Sequence, residues 1–183
     1  MKNFQHLAAV AILTIVMGTV YVCIQQTYRS NANDPQIQMA RDIAGKINDG
    51  SPLEKIFPTD SIDISESLGV FALLCDSVGR PLRYSGFLDN KPPQLPSGVF
   101  EYAGIHREDW ISWQPRQGIR MAMVVVRTNH SAYRYVAVGR SLKEVEIRIY
   151  SLGEMVFVSW LLSVLIIGIL AVIQSRFNLK KKV

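Results

Sequence analysis

Two uncharged apolar runs limit what this chain can become. Leu7–Ile24 (LAAVAILTIVMGTVYVCI) is 18 residues long and Met155–Ile173 (MVFVSWLLSVLIIGILAVI) is 19, and neither holds an Asp, Glu, Lys or Arg. As helices rising 1.5 Å per residue they reach roughly 27–29 Å, close to the ~30 Å hydrocarbon core of a bilayer. The alternative, a helix buried in a soluble core, rarely runs this long without a charge. The first run could also be a cleaved signal peptide. Its apolar stretch exceeds the usual 7–15 residues of such a peptide, and no small-x-small cleavage site closes it, so an uncleaved anchor is expected.

Charge then divides the chain. The stretch from Asp34 to Glu154 holds all 15 acidic residues and 14 of the 20 Lys and Arg, a net charge of −1. The other basic residues (Lys2, Arg29, Arg176, Lys180, Lys181 and Lys182) lie outside it, so the formal +5 comes from the tails. That distribution does not describe a nucleic-acid-binding surface. Basic residues flank the outer ends of both spans, and the positive-inside rule predicts two cytoplasmic termini. The expected organisation is a cytoplasmic start and first transmembrane helix over 1–29, an extracytoplasmic domain over 30–154, a second transmembrane helix over 155–173 and a short basic tail over 174–183. Within the spans, Thr14 and Gly18, Ser159 and Ser163, and Gly168 are small residues at the spacing that lets helices approach closely. They are candidates for helix packing, although such residues are common in any membrane helix.

Chemistry-bearing clusters are scarce. Cys23 lies in the first span and Cys75 in an apolar run, so the two are not expected to form a disulfide and each reads as a small apolar residue. His6, His106 and His130 are scattered, and no Cys or His pair has zinc-ligand spacing. Asp60, Asp63 and Glu66 could cluster, but the glycine and the downstream Glu of a calcium loop are lacking, so a solvated loop is expected. Asn129-His130-Ser131 matches a glycosylation tripeptide and reads as a turn. No catalytic residues, metal site or cofactor are expected.

The middle region reads as α+β. Asp34 as N-cap, Pro35 at the first helical position and Gly50 after the last turn bound a helix, whose Ile37, Ala40, Ile43, Ala44 and Ile47 form one apolar stripe. A break from the first membrane helix is expected near Asn31–Asp34. SPLEKIFPTDSIDISESL reads as a connecting loop. GVFALLCD and LRYSG are strands about a turn at Gly79 and Pro81. SGVFEYAG is a short helix capped by Ser97 and closed by Gly104. DWISWQ, IRMAMVVVR and YRYVAVG are three further strands joined by PRQG and TNHSA. Such tight connections predict a five-stranded antiparallel sheet, with helices covering one face. In SLKEVEIRIY, Ser141 and Glu144 have capping-box spacing. Nothing strong breaks the pattern beyond them, so the last strand is expected to lead into a helix through the membrane. Val145 lies in its first turn, and Ser141, Glu144 and Val145 are the candidate relay residues.

Several of these stretches together resemble a known family. ANDPQIQMARDIA (32–44) is similar to the segment just outside the first membrane helix of bacterial sensor histidine kinases, and VGRSLKEVEIR (138–148) to the junction before their second. Between them, VFALLCDSVGRPLRYSG, LPSGVF and QPRQGIRMAMVVV resemble their extracytoplasmic PAS-like (Cache) sensory domain. The resemblance implies a PAS-like sheet with flanking helices held between two transmembrane helices in the bacterial inner membrane, dimeric as a rule. The phosphoacceptor and ATP-binding domains of those kinases are not in this sequence, so no kinase activity is expected of it. Output is expected from a separate or missing domain, or from a membrane-protein partner.

Ligand binding is the remaining expectation. Arg83, Trp110, Trp113, Arg120, Tyr133 and Tyr135 could give a sheet face with aromatic walls and a cationic anchor, suited to a small organic acid. The ordinary alternative is that the aromatics are core and the arginines solvated. The function expected is a two-span signal-sensing module of the two-component type; the alternative is a ligand-independent accessory or scaffold subunit of a membrane complex.

Overall fold

The computed structural model describes residues 2–31 and 34–180. It divides into two compact units, one of residues 1–29 with 147–183 and one of Ser30–Glu146. The break expected near Asn31–Asp34 falls on Ala32 and Asn33, outside the described residues.

The first unit contains most of helix α1 (Lys2–Asn31) and most of helix α4 (Lys143–Lys180). Both are long and apolar enough to cross a membrane, and neither apolar stretch is buried inside the protein. Large side chains such as Ile12, Ile15, Leu165 and Ile166 face outward, as a lipid-facing surface requires.

The second unit is α+β. Helix α2 (Asp34–Asn48) is followed by a 3-10 turn at Leu53–Lys55, then β1 (Ile62–Asp63), β2 (Val70–Cys75), β3 (Pro81–Tyr84), β4 (Gly86–Phe87), helix α3 (Ser97–His106), β5 (Glu108–Arg116), β6 (Ile119–Arg127) and β7 (Tyr135–Ser141). Five strands form one sheet in the order β3-β2-β7-β6-β5, every neighbour antiparallel. β1 and β4 form a separate parallel pair. Asp34 is the first helical residue of α2, not a cap outside it.

The main departure from expectation is that both faces of the sheet are covered. On one face, α2 seats Ala40, Ile43, Ala44 and Ile47 against Ala72, Leu74, Val124, Val136 and Val138. On the other, α3 contributes Val99, Phe100 and Ala103 against Phe71, Leu73, Cys75, Met121, Met123, Val125 and Tyr135, with Ile64 beside β1 closing the layer. This is why β2 and β7 are buried almost along their whole length. Alternation is lost where no face is wet. Each such buried Leu, Val or Phe contributes about 1.5–3 kcal/mol. Phe71 lies over Gly139, its cross-strand partner, and on its other side meets Gly86. A side chain at either glycine would overlap the ring.

The short helix also departs in its ends. Pro96 precedes α3 without a side-chain cap, Ser97 lies inside it, and the helix runs past Gly104 to His106, where Arg107 reverses the chain at φ 75°. Gly104 does not end the helix. A Cβ there would sit 3.0 Å from the Tyr135 hydroxyl, so the glycine makes room for the core.

Candidate functional site

The most organised polar geometry lies where the sheet hands the chain to α4. The ladder between β6 and β7 continues one step past the strand, with the Leu142 N–H donating to the Arg120 carbonyl at 2.9 Å. The Ser141 hydroxyl accepts the Lys143 N–H at 3.3 Å, one residue earlier than a capping box would take. The Glu146 N–H then closes the first helical turn on the Leu142 carbonyl at 2.9 Å. Two ion pairs brace that turn against the sheet. Arg120 of β6 meets Glu146 at 2.7 Å, and Arg140 of β7 meets Glu144 at 3.5 Å. Glu144 and Glu146 also place negative charge at the helix N-terminus, where the helix dipole favours it. The Arg120–Glu146 pair is about half exposed, and such a pair contributes at most about 1 kcal/mol; its value is directional. Val145 sits between the two acids and is half-buried.

The six residues expected to form a ligand pocket do not converge. Register puts Trp113 and Tyr135 on the α3 face, where Tyr135 is buried with its ring 5.3 Å from Phe100. Trp110, Arg120, Arg83 and Tyr133 lie on the α2 face. Arg83 on β3 and Trp110 on β5 occupy opposite edges, roughly 19 Å apart at the usual strand spacing. Each arginine is also engaged. Arg83 stacks over Phe57 at 5.5 Å and approaches Glu54 at 3.9 Å, while Arg120 belongs to the junction. The Tyr133 ring stacks on His130 at 5.1 Å within the β6–β7 loop. There the His130 Nδ1 accepts the Ala132 and Tyr133 N–H groups, both at 3.2 Å, and the Asn129 N–H donates to Asn48 Oδ1 at 2.8 Å. The tripeptide 129–131 is therefore a tied turn.

Other ionisable groups are shaped by local bonds. The Glu108 carboxylate takes two hydrogen bonds from Arg41 of α2, at 2.7 and 3.1 Å, and these hold its pKa below the ordinary value. Asp63 is lowered by the Ser65 hydroxyl and N–H, and Asp76 mainly by the Arg80 N–H across its turn. Burial pushes the Cys75 thiol up to about 12. Both cysteines are free thiols. Among the described residues, no group of three or more His, Cys, Asp or Glu could hold a metal ion. Arg41–Glu108 and Arg120–Glu146 escape sequence reasoning because 67 and 26 residues separate the partners. Only the packing of α2 and the start of α4 on the sheet brings them together.

In the membrane-length unit, the Trp160 indole N–H donates to the Thr14 hydroxyl at 2.9 Å, and that hydroxyl donates to the Val10 carbonyl at 2.8 Å. Further along the same pair of helices, His6 and Gln174 meet at 3.1 Å. Thr14, Gly18 and Gly153 line a groove of about 320 Å³ with Tyr21, Phe157 and Trp160 as walls. Of the expected packing residues, Thr14 therefore lies at the helix contact, while Gly18 lines the groove with nothing within 4 Å of where a Cβ would sit. Ser163 bonds back to the Ser159 carbonyl on its own helix at 2.8 Å, and Gly168 faces open space.

Comparisons with protein families, characterised proteins and solved structures return no match for this chain.

Proposed function

We propose that this chain is a two-span membrane sensory module of the two-component type. In this reading residues 30–154 are a PAS-like domain on the periplasmic side of a bacterial inner membrane, with both termini cytoplasmic. The observation that carries the proposal is the junction: central strand β7 passes through the Ser141 cap directly into α4, braced by two ion pairs, and α4 continues for 38 residues through an apolar stretch. A change in the sheet would then move one helix as a rod. Relay requires a ligand or partner that binds two states of the domain unequally. The candidate inputs are a small organic acid or an envelope protein. The output is reached through lipid-embedded contacts with a second copy or a membrane partner.

The test is a chimera in which residues 1–177 drive a cytoplasmic kinase region and a reporter gene, challenged with mono-, di- and tricarboxylates. The expected result is a ligand-dependent signal that Ile149→Pro abolishes while membrane insertion stays normal, because Ile149 lies past the first turn of α4, where proline removes a helical hydrogen bond and kinks the helix. A signal that survives Ile149→Pro would sink the rod idea.

One observation favours the second reading, a ligand-independent scaffold. The six candidate ligand residues split between two faces and two edges. A stoichiometric complex purified in mild detergent, with no reporter response to any carboxylate, would support it.

A further inference from the structure

We propose that two copies of this chain associate through the outer edge of β5, strand against strand about a two-fold axis at Ser112. The proposal does not rest on the sensory reading, since a scaffold presents the same edge.

The sheet has two edges, and they differ. β3 is four residues long, begins with Pro81 and carries Arg83, the short, charged and proline-bearing pattern that discourages pairing. β5 is nine residues long, and among the described residues no strand pairs on its outer side. The backbone groups left open there follow from one bond. The Arg127 N–H donates to the Arg107 carbonyl at 2.8 Å, in the register that sets Glu108 opposite Val126. Antiparallel ladders alternate, so Asp109, Ile111 and Trp113 spend their amides and carbonyls on β6. Glu108, Trp110 and Ser112 turn theirs outward.

What β5 carries selects its partner. The strand begins with Glu108 and Asp109 and ends, after an irregularity beyond Trp113 that includes Pro115, with Arg116. The regular stretch between is centred near Ser112. A second β5 laid antiparallel, Ser112 opposite Ser112, keeps every side chain on its own face. It sets Ile111 against Trp113 and Trp110 against Gln114. It also brings Asp109, which has no ion pair among the described residues, beside Arg116 of the other copy; Glu108 is held by Arg41 at 2.7 Å and Arg116 lies 3.0 Å from Asp89 of its own copy, so Asp109 is the charge left for the second copy. A parallel arrangement would bring like charges together. Apolar surface flanks the edge, with Trp110 on one side 54 % exposed and Ile105 of α3 on the other 77 % exposed. An edge whose two ends carry opposite charge is complementary to itself, and a second copy is the partner it fits.

The test uses the full chain in mild detergent. Light scattering should give a protein mass of two copies. Ser112→Pro removes an outward N–H that one copy alone does not use, so the mass should fall to one copy while the circular dichroism of the folded chain is kept. In a Cys23→Ala background, Ser112→Cys places two thiols on Cα atoms about 5.5 Å apart, within disulfide reach. Oxidation in native membranes should cross-link it at least tenfold faster than Leu82→Cys on β3. The proposal fails if the wild-type chain has the mass of one copy, if Ser112→Pro leaves two copies together, or if Ser112→Cys cross-links no faster than Leu82→Cys. Should Ser112→Pro fail to fold, the cross-linking comparison decides.

Discussion

Gly139 is the position where a single added methyl group should cost the sheet most. A Cβ there would lie 2.6 Å from Phe71 Cζ, 2.9 Å from Phe71 Cε1 and 3.0 Å from Met123 Sδ. Carbon atoms pack best at 3.5–4.0 Å, so the overlap is on the order of 1 Å. Phe71 cannot yield easily. It is 1 % exposed, and a Cβ at Gly86 on its other side would be 2.6 Å from the ring. Overpacking of this kind costs about 1–3 kcal/mol. Alanine returns roughly 0.5–1 kcal/mol through its lower backbone entropy, so Gly139→Ala should destabilise by about 1–2 kcal/mol. Urea unfolding in mild detergent, followed by Trp110 and Trp113 fluorescence, should show the midpoint falling by about 1 M for a slope of 1–3 kcal/mol/M. Phe71→Leu removes the clashing ring atoms. In that background Gly139→Ala should become nearly neutral, a coupling of about 1 kcal/mol or more. Equal cost in both backgrounds, or no cost in the wild type, would refute the packing argument.

Other outcomes follow from the described contacts. Cys75, buried and with its pKa pushed up to about 12, should resist maleimide at pH 8 until urea opens the domain; labelling at the rate of an exposed thiol would contradict its placement. The folded pKa of Glu108 lies below its usual 4.5, so the stabilisation from the Arg41 pair is full above that value and is lost as pH falls through the lowered one. Urea midpoints measured from pH 7 to pH 3 should therefore drop less steeply below about pH 4.5 in Glu108→Gln than in the wild type. Thr14→Val removes the acceptor of the Trp160 indole and should weaken association of the two membrane-length helices by about 0.6 kcal/mol, up to about 1.7. A shift in Trp160 fluorescence would report the lost bond.

Much of the fold was legible because each large element carries its own local signal. The apolar stripe Ile37–Ile47 announces α2, and the runs around β2, β6 and β7 are bounded by turns. The two helices of membrane length need no context at all. What could not be read is which surface each element meets. With both faces of the sheet covered, VFALLC and AMVVV show no alternation, so they do not reveal that helices lie on opposite sides. β1 and β4 are two residues each, too short for any period, and are defined by long-range bonds such as Ile62 N–H to the Ser85 carbonyl at 2.9 Å. The ligand set failed to converge for a related reason. Residue type suggested recognition, but strand order sends Arg83 and Trp110 to opposite edges and parity sends Trp113 and Tyr135 to the other face.

The hydrogen bond between Trp160 and Thr14 has a mechanical consequence. Placed in hydrocarbon, an indole N–H finds no replacement acceptor in the lipid, so losing Thr14 leaves a polar group unsatisfied. Turning α4 about its own axis by one residue, about 100°, would swing the indole away from that hydroxyl. Sliding α4 along its axis by about 1 Å, a small part of one turn, need only bend the bond. The pair thus tolerates displacements of about 1 Å in either sense and breaks on larger ones, so it marks one rotational setting and one register of the two helices.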